Sequence, residues 1–376
     1  MARVLVGMSG GVDSSLACAL AKEAGHEVLG VTMQLTRKEQ IDAPGFINHG
    51  SIEEAEDARK VAEKIGVPFE TWDMSKLYKD KVVQAFVEGY SRGETPNPCV
   101  ACNQNVKFAA LVAKAQERGF KLVATGHYAQ VLRPGDEGYH NTGAPELHRG
   151  VNPLKDQSYF VASMPPEVVQ FCYFPLGRFA NKSEVRELAK LRGFETHDKK
   201  DSADICFLAK NAKTQFLGAH FSDRYRGEIV DETGTVLGEH GGYWNFTVGQ
   251  RQGLDIKIPR ADGKPRYVIS TDPVTCRVVV GPKEMLKRHT VHCEEVKLFD
   301  ASLRTLNNTE PVEFDAFAQI RAHGTPIPAH FELLNDKLTV TATNENLLFD
   351  SIARGQSLVA YDKEYNTRVL LKSTLL

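Results

Sequence analysis

Residues 7–15 of this 376-residue chain read Gly-Met-Ser-Gly-Gly-Val-Asp-Ser-Ser, directly after the apolar run Val4-Leu5-Val6 and ahead of a helical stripe through Leu16, Ala19 and Leu20. A double glycine at a strand-to-helix junction constrains the fold more than any other feature. It fixes a tight turn whose backbone N–H groups converge at a helix N-terminus. Gly10 and Gly11, having no Cβ, let those donors close on phosphate oxygens, and the helix dipole adds positive potential there. Ser9, Ser14 and Ser15 add hydroxyl donors. Asp13 cannot bind an anion itself; its chemistry suits a Mg²⁺ ion that screens a nucleotide's phosphates. No Gly-Lys-Ser/Thr follows, as a Walker loop requires, and adjacent glycines do not match the dinucleotide fingerprint. The bland reading is a turn with a Ser/Asp cap. Strand, glycines, Asp-Ser and helix in register favour a cradle for ATP.

Up to about Gly126 apolar strands alternate with amphipathic helices. The strands are expected at Val4–Met8, Glu27–Met33, Val67–Asp73 and Lys121–Thr125. Ser51-Ile-Glu-Glu54 reads as a capping box, followed by Ala55, Ala58, Val61, Ala62 and Ile65 on one face and by Gly66 as the stop. Val82, Val83, Phe86, Val87 and Tyr90 form a second stripe, and Val106, Ala109, Ala110 and Ala113 a third. Strands separated by helices call for a parallel sheet covered on both faces, with ligands at the strands' carboxyl ends. After about Phe221 the pattern changes to short segments joined by turns at 228–234, 269–273, 334–336 and 361–365, which read as hairpins. The expected organisation is α/β: a Rossmann-like parallel-sheet domain over 1–207, a small central α+β or β-rich domain over 208–286, and a β-barrel-like domain over 287–376.

A net charge of −2 leaves no general basic field, so a nucleic-acid partner must be gripped by local patches. Arg251, Lys257, Arg260, Lys264 and Arg266 make one candidate patch, facing two acids, Asp255 and Asp262; a solvated loop is the alternative. Seven cysteines without regular spacing fit a reducing compartment. No charged-then-apolar leader and no membrane-length run is seen, so a cytoplasmic chain with no membrane partner is expected.

The sequence Thr95-Pro-Asn-Pro-Cys99-Val-Ala-Cys102-Asn-Gln-Asn-Val-Lys107-Phe108 joins two prolines to a Cys-x-x-Cys at the start of the third stripe. Cys102 is expected at or just before the helix N-terminus, where the dipole stabilises a thiolate. Lys107 either supports that thiolate, reaches phosphate or is a solvated lysine. Cys206 follows a polar stretch, and its spacing alone says little. His127 ends a strand where ligands gather, although a histidine satisfied by the backbone explains it as well. Cys18 reads as core, Cys172, Cys276 and Cys293 as inert, and Trp72 and Trp244 as packing.

Ser9-Gly-Gly-Val-Asp-Ser14 resembles the PP-loop ATPases (adenine nucleotide alpha hydrolase-like), which attack the α-phosphate, adenylate a carbonyl oxygen and release pyrophosphate. Taken with Asn97-Pro98…Cys102-Asn103…Lys107-Phe108, Ala124-Thr-Gly-His-Tyr128, Lys155-Asp-Gln-Ser-Tyr159, Asp201-Ser202…Ile205-Cys206-Phe207 and Thr247-Val-Gly-Gln-Arg251, the chain resembles the tRNA-specific 2-thiouridylase (MnmA) family, with the motifs in family order. The resemblance implies a tRNA-uridine 2-sulfurtransferase that adenylates the C2 oxygen of a wobble uridine and replaces it with sulfur. That sulfur is carried as a persulfide on Cys206, and Cys102 is the nucleophile that releases it, leaving a transient disulfide. It also implies ATP at Gly7, Met8, Ser9, Gly10, Gly11, Val12, Asp13, Ser14, Met33 and Gly126, the target base at Asn97, Pro98 and Cys99, and tRNA at Lys155, Asp156, Gln157, Arg321 and Ala322. Partners are a tRNA with a modifiable wobble uridine and an upstream persulfide or sulfide donor; cofactors are ATP and Mg²⁺.

Two departures stand out. Many members carry Asp where this chain has Cys99, and Ile320-Arg321-Ala322-His323 lacks further Tyr and Arg. Cys99, Cys102 and Cys206 could therefore supply three thiolates to an iron–sulfur cluster with an open iron carrying sulfide. A structural zinc site, with His197 as a speculative fourth ligand, lacks a second Cys-x-x-Cys. The remaining alternatives are an amidating PP-loop synthetase, which usually needs an ammonia source, and a non-catalytic RNA or metal–sulfur binding protein.

Overall fold

Strand and helix alternate over the first 125 residues of the computed structural model, which describes residues 1–37, 41–47, 52–140, 142–200, 205–221, 225–304 and 310–376. Strands β1 (Arg3–Gly7), β2 (Glu27–Gln34), β3 (Phe69–Asp73) and β4 (Leu122–Ala124) fall within two residues of their expected bounds. Strands β5 (Ala129–Leu132) and β6 (Glu146–Arg149) form a separate antiparallel pair, and β7 (Cys172–Tyr173) joins the main sheet. That sheet runs β3-β2-β1-β4-β7 and is parallel throughout. Parallel strands need both faces covered. Val4 and Val6 point into one core with Leu16 and Ala17 of α1 (Val12–Glu23) and Ala58 and Val61 of α2 (Ile52–Ile65), while Leu5 packs into the other with Val31, Trp72, Leu111 and Val123. Cys18 belongs to the first of these cores. Gly66 takes a φ of +72° after α2, as a helix stop requires. Ser51 of the expected capping box and Asp201 and Ser202 of the family motif lie outside the described residues.

The chain order places the site. From β1 it crosses to β2 on one side, while β4 lies on the other, so the crevice for ligands opens at the carboxyl ends of β1 and β4. The glycine loop leaves β1 there and Gly126 leaves β4. Beyond the sheet domain, Tyr267–Asp272, Arg277–Gly281, Gly227–Val230 and Val236–His240 form a four-stranded sheet, and six antiparallel strands between Thr290 and Leu375 close a barrel. Each of the four expected turns joins an antiparallel pair. The barrel core is apolar, led by Phe331, Val340, Leu358 and Leu371.

Candidate active site

The glycine loop is held open by its own side chains. Ser9 N–H donates to Ser14 Oγ at 3.0 Å, and the Ser14 and Ser15 hydroxyls donate to the Gly11 carbonyl at 3.1 and 2.8 Å. Ser15 is fully buried and also accepts from Thr196, so it braces the turn instead of facing a ligand, contrary to its expected donor role. Gly10 sits at φ +72°, and a Cβ there would lie 2.3 Å from the Glu54 carbonyl oxygen. At Gly126 a Cβ would lie 2.7 Å from the Asp13 carbonyl carbon and the Ser14 nitrogen, so the two strand ends meet only because glycine stands there. No side chain caps α1, which leaves its first N–H groups for an anion.

Asp13 has a cationic partner that the sequence did not announce. Lys182 Nζ lies 2.6 and 2.5 Å from its two carboxylate oxygens, and the Tyr128 hydroxyl donates to Oδ1 at 2.8 Å. Lys199 Nζ lies 3.1 Å from the Gly10 carbonyl and 3.0 Å from Asp57. Both lysines line the cavity of about 720 Å³ that runs past the loop.

The cysteine helix starts earlier than expected. Asn97 is its N-cap, with its side-chain oxygen accepting from Cys99 N–H at 3.0 Å, and Pro98 occupies the first turn. Cys99 therefore takes the N-terminal place and is exposed, whereas Cys102 lies a turn further in and is buried. Pro98–Cys102 continues through a π-helical Asn103–Ala110 into Leu111–Glu117. The expectation of a dipole-stabilised Cys102 thiolate is overturned: burial pushes its thiol up to about 12, with Lys107 pulling the other way. Burial likewise raises the Cys99 and Cys206 thiols, and Lys107 opposes it at both. Asn103 is 4 % exposed, its side-chain oxygen has no partner among the described residues, and it lines the cavity beside Lys107.

Cys206, 104 positions after Cys102, comes to the same place. Gly7, Met8, Asp13, Ser14, Met33, Cys99, Cys102, Gly126 and Cys206 all line one cavity of about 330 Å³, which adjoins the larger one lined by Gly11, Val12, Asn97, Lys155, Asp156 and Ala322. Ser9, Pro98 and Gln157 line both. Gly10 and Arg321 line neither. Asp156 faces inward: its carboxylate accepts from Gly150 N–H, Ser158 N–H and Oγ, and Arg149 Nη1 at 2.8–3.0 Å. Arg149 in turn donates to Gln319 at 2.9 Å and lies 3.5 Å over the Tyr361 ring, while Gln319 donates to the Arg321 and Ala322 carbonyls at 2.9 and 3.1 Å. One half-buried guanidinium thus ties the 155–157 loop to the 321–322 turn.

His127 pairs with the Thr125 hydroxyl at 2.7 Å between Phe108 and Phe174, and burial and then Lys107 hold it well below 6.5. His197 is bonded to the Phe194 carbonyl and lines neither cavity, so it is no partner for the cysteines. Among the described residues no three His, Cys, Asp or Glu side chains stand as a group that could hold a metal ion. Arg260 is paired with Asp262 and Arg266 with the Ile258 carbonyl, so part of the basic stretch is internally engaged, while Arg251, Lys257 and Lys264 are exposed. No helix among the described residues is long and apolar enough to cross a membrane.

Comparison with known proteins matches residues 2–210 to the tRNA methyl transferase HUP domain and residues 214–282 to the tRNA methyl transferase PRC-barrel domain. The tRNA-specific 2-thiouridylase MnmA of Corynebacterium glutamicum (strain R) is 41% identical over 374 residues, covering 99% of this chain and 98% of the relative. That of Corynebacterium aurimucosum is 43% identical over 361 residues, covering 96% and 94%, and that of Arthrobacter sp. (strain FB24) 42% over 384 residues, covering 99% and 97%. Among solved structures, NMN synthetase from Francisella tularensis aligns with 58% of this chain and 72% of its own at 17% identity and a TM-score of 0.31.

Proposed function

The chain belongs to the tRNA-specific 2-thiouridylase family, and from that membership we propose how its residues carry out the tRNA-uridine 2-sulfurtransferase reaction. The single observation that carries the assignment is the meeting of Cys102, Cys206 and the glycine loop on one cavity. ATP lies with its phosphates on the loop from Gly7 to Ser14 and its adenosine toward Met33 and Gly126. Asp13 would hold Mg²⁺ once the Lys182 ammonium gives up its carboxylate oxygens. The ion would screen phosphate charge; Lys182, released from Asp13, supplies further positive charge beside the phosphates.

The C2 oxygen of a uridine flipped out of its stack attacks the α-phosphorus, and the α–β bridging bond breaks to release pyrophosphate. The uracil sits against Pro98, Cys99 and the amide of Asn103. The terminal sulfur of a Cys206 persulfide, loaded by an upstream donor, then bonds to C2 while the C2–O bond breaks and AMP leaves with its electron pair. Cys102 thiolate attacks Sγ of Cys206; the Sγ–S bond breaks, its electrons stay with the 2-thiouridine, and a Cys102–Cys206 disulfide remains for a dithiol reductant to open. Because the Cys102 thiol rests protonated, its proton must leave before sulfur is released, and Lys107 is the cation that favours this. Lys155, Gln157 and the 321–322 turn lie along the tRNA, with Asp156 shaping the loop from within. The chain divides into domains at 1–207, 208–286 and 287–376, the first holding the chemistry.

Iron-free protein given ATP, Mg²⁺, a persulfide donor and unmodified tRNA is expected to form 2-thiouridine, read by nucleoside mass spectrometry. Activity that appears only after iron and sulfide are restored would overturn the persulfide route.

A further inference from the structure

Cys206 is held by a residue that neither the glycine loop nor the Cys-x-x-Cys helix supplies. The Tyr78 hydroxyl lies 3.0 Å from Cys206 Sγ, and Tyr78 is fully buried. Its ring is fixed edge-on against Phe207, which packs in turn on Phe86 and Phe216. Phe207 is fully buried, so the residue next to Cys206 anchors the sulfur-bearing segment by apolar burial. Tyr78 also stands where Ser75–Tyr78 passes into the π-helical Lys79–Val83, and π segments collect at functional positions. A second π segment, Asn103–Ala110, follows directly after Cys102.

A phenol buried this deeply beside sulfur has one state available. Burial first, then negative charge on Cys206 and Cys102, pushes its ionisation far above the ordinary tyrosine range, so it remains an O–H donor while the sulfur changes form. A packing residue at this position needs only the ring, and a buried hydroxyl without a partner would be costly. Here the hydroxyl is directed at the one sulfur that must be both loaded and emptied.

We propose that Tyr78 is a positioning residue for sulfur transfer, its hydroxyl donating to Sγ of Cys206 and holding that sulfur on the wall of the cavity shared with Cys102. The inference rests on the role assigned to Cys206. The bond favours a charged over a neutral sulfur, and it fixes Sγ while the outer sulfur reaches C2 and while Cys102 attacks from the cavity.

Tyr78→Phe keeps the ring and removes only the donor. In the reduced full-length protein, the rate of Cys206 alkylation by iodoacetamide, read peptide by peptide across pH 7–10, is expected to shift to higher pH in this variant. Thiolation kcat is expected to fall about tenfold with KM for ATP and for tRNA unchanged. An unchanged Cys206 profile would overturn the proposal. So would a loss of kcat accompanied by raised KM for both substrates and a lowered Tm, because that pattern marks packing. Tyr78→Leu, which removes ring and hydroxyl together, sets the size of that packing effect. If Cys206→Ser still makes 2-thiouridine, the persulfide assignment fails, whereas the alkylation shift in Tyr78→Phe still reports the hydroxyl's hold on the sulfur.

Discussion

The nucleotide end and the sulfur end of the cavity are built in opposite ways. At the nucleotide end, nine consecutive residues make the cradle, its donors are backbone N–H groups, and its hydroxyls staple the turn from within. At the sulfur end, the thiols come from positions 99, 102 and 206, the environment of the inner two is set by Tyr78, Phe207 and Lys107, and burial raises the Cys102 and Cys206 thiols. The first end is rigid and charged before a ligand arrives. The second holds un-ionised thiols beside one cation, Lys107. An enzyme that must activate an oxygen before exposing a thiolate gains from this asymmetry, since an ionised thiol beside ATP would invite side reactions.

The largest expected effect separates the two ends outright. Cys102→Ser and Cys206→Ser should each lower 2-thiouridine formation at least about 10³-fold, while calorimetry shows ATP and tRNA binding unchanged. Activity surviving in either variant would show that the sulfur end does not work through those atoms.

Next in size is Gly10→Ala. The new methyl group meets the Glu54 carbonyl in a backbone conformation that alanine disfavours, so α2 or the loop must shift. About a 100-fold loss in kcat/KM for ATP is expected, with the pH profile of Cys206 alkylation unaltered. A change in that profile would mean the ends are mechanically coupled.

These two ends also differ in what a reader of the sequence could see. The glycine loop is local, and its strand, turn and helix follow from backbone requirements that residues 4–20 express by themselves. The four parallel strands and the hairpins follow from apolar spacing in the same way. At the sulfur end Asn97-Pro98 already marks a helix start, so the inward place of Cys102 was readable from cap chemistry; proximity in sequence to the prolines suggested otherwise. Lys182 on Asp13, Tyr78 on Cys206 and Arg149 on Gln319 were not readable, because each pairing spans a fold-level contact that no local period encodes.

A smaller effect tests the third region, where barrel and sheet domain meet. Arg149→Met keeps apolar cover over Tyr361 but removes the guanidinium that stacks on its ring and bonds Asp156 and Gln319, so the 155–157 and 321–322 segments lose their common tie. KM for tRNA should rise roughly tenfold while KM for ATP stays the same. Cys99→Ser, by contrast, should leave thiolation within about threefold, since an exposed thiol at the mouth has no bond to break in the persulfide route. Loss of activity together with loss of bound iron would instead assign Cys99 to a cluster.

The finest distinction uses one cation that both ends share. Lys107 opposes burial at Cys99, Cys102 and Cys206, and reinforces it at His127. Its ammonium favours a thiolate, which is negative, and disfavours an imidazolium, which is positive, so removing it must move the two kinds of group the same way on the pH axis with opposite consequences. In Lys107→Met the Cys102 and Cys206 thiols titrate at higher pH and alkylate more slowly at pH 8, while His127 becomes easier to protonate. A histidine held below its unfolded value contributes stability above about pH 6.5 that is lost as acidification proceeds toward its folded value. With His127 moved upward, Lys107→Met should therefore lose less stability than the parent protein as the pH falls below about 6.5. Thermal unfolding across that window and alkylation at pH 8 read the two signs in the same variant. A slowed thiol with an unchanged acid limb would confine the influence of Lys107 to sulfur; an eased acid limb with unchanged thiols would confine it to the histidine.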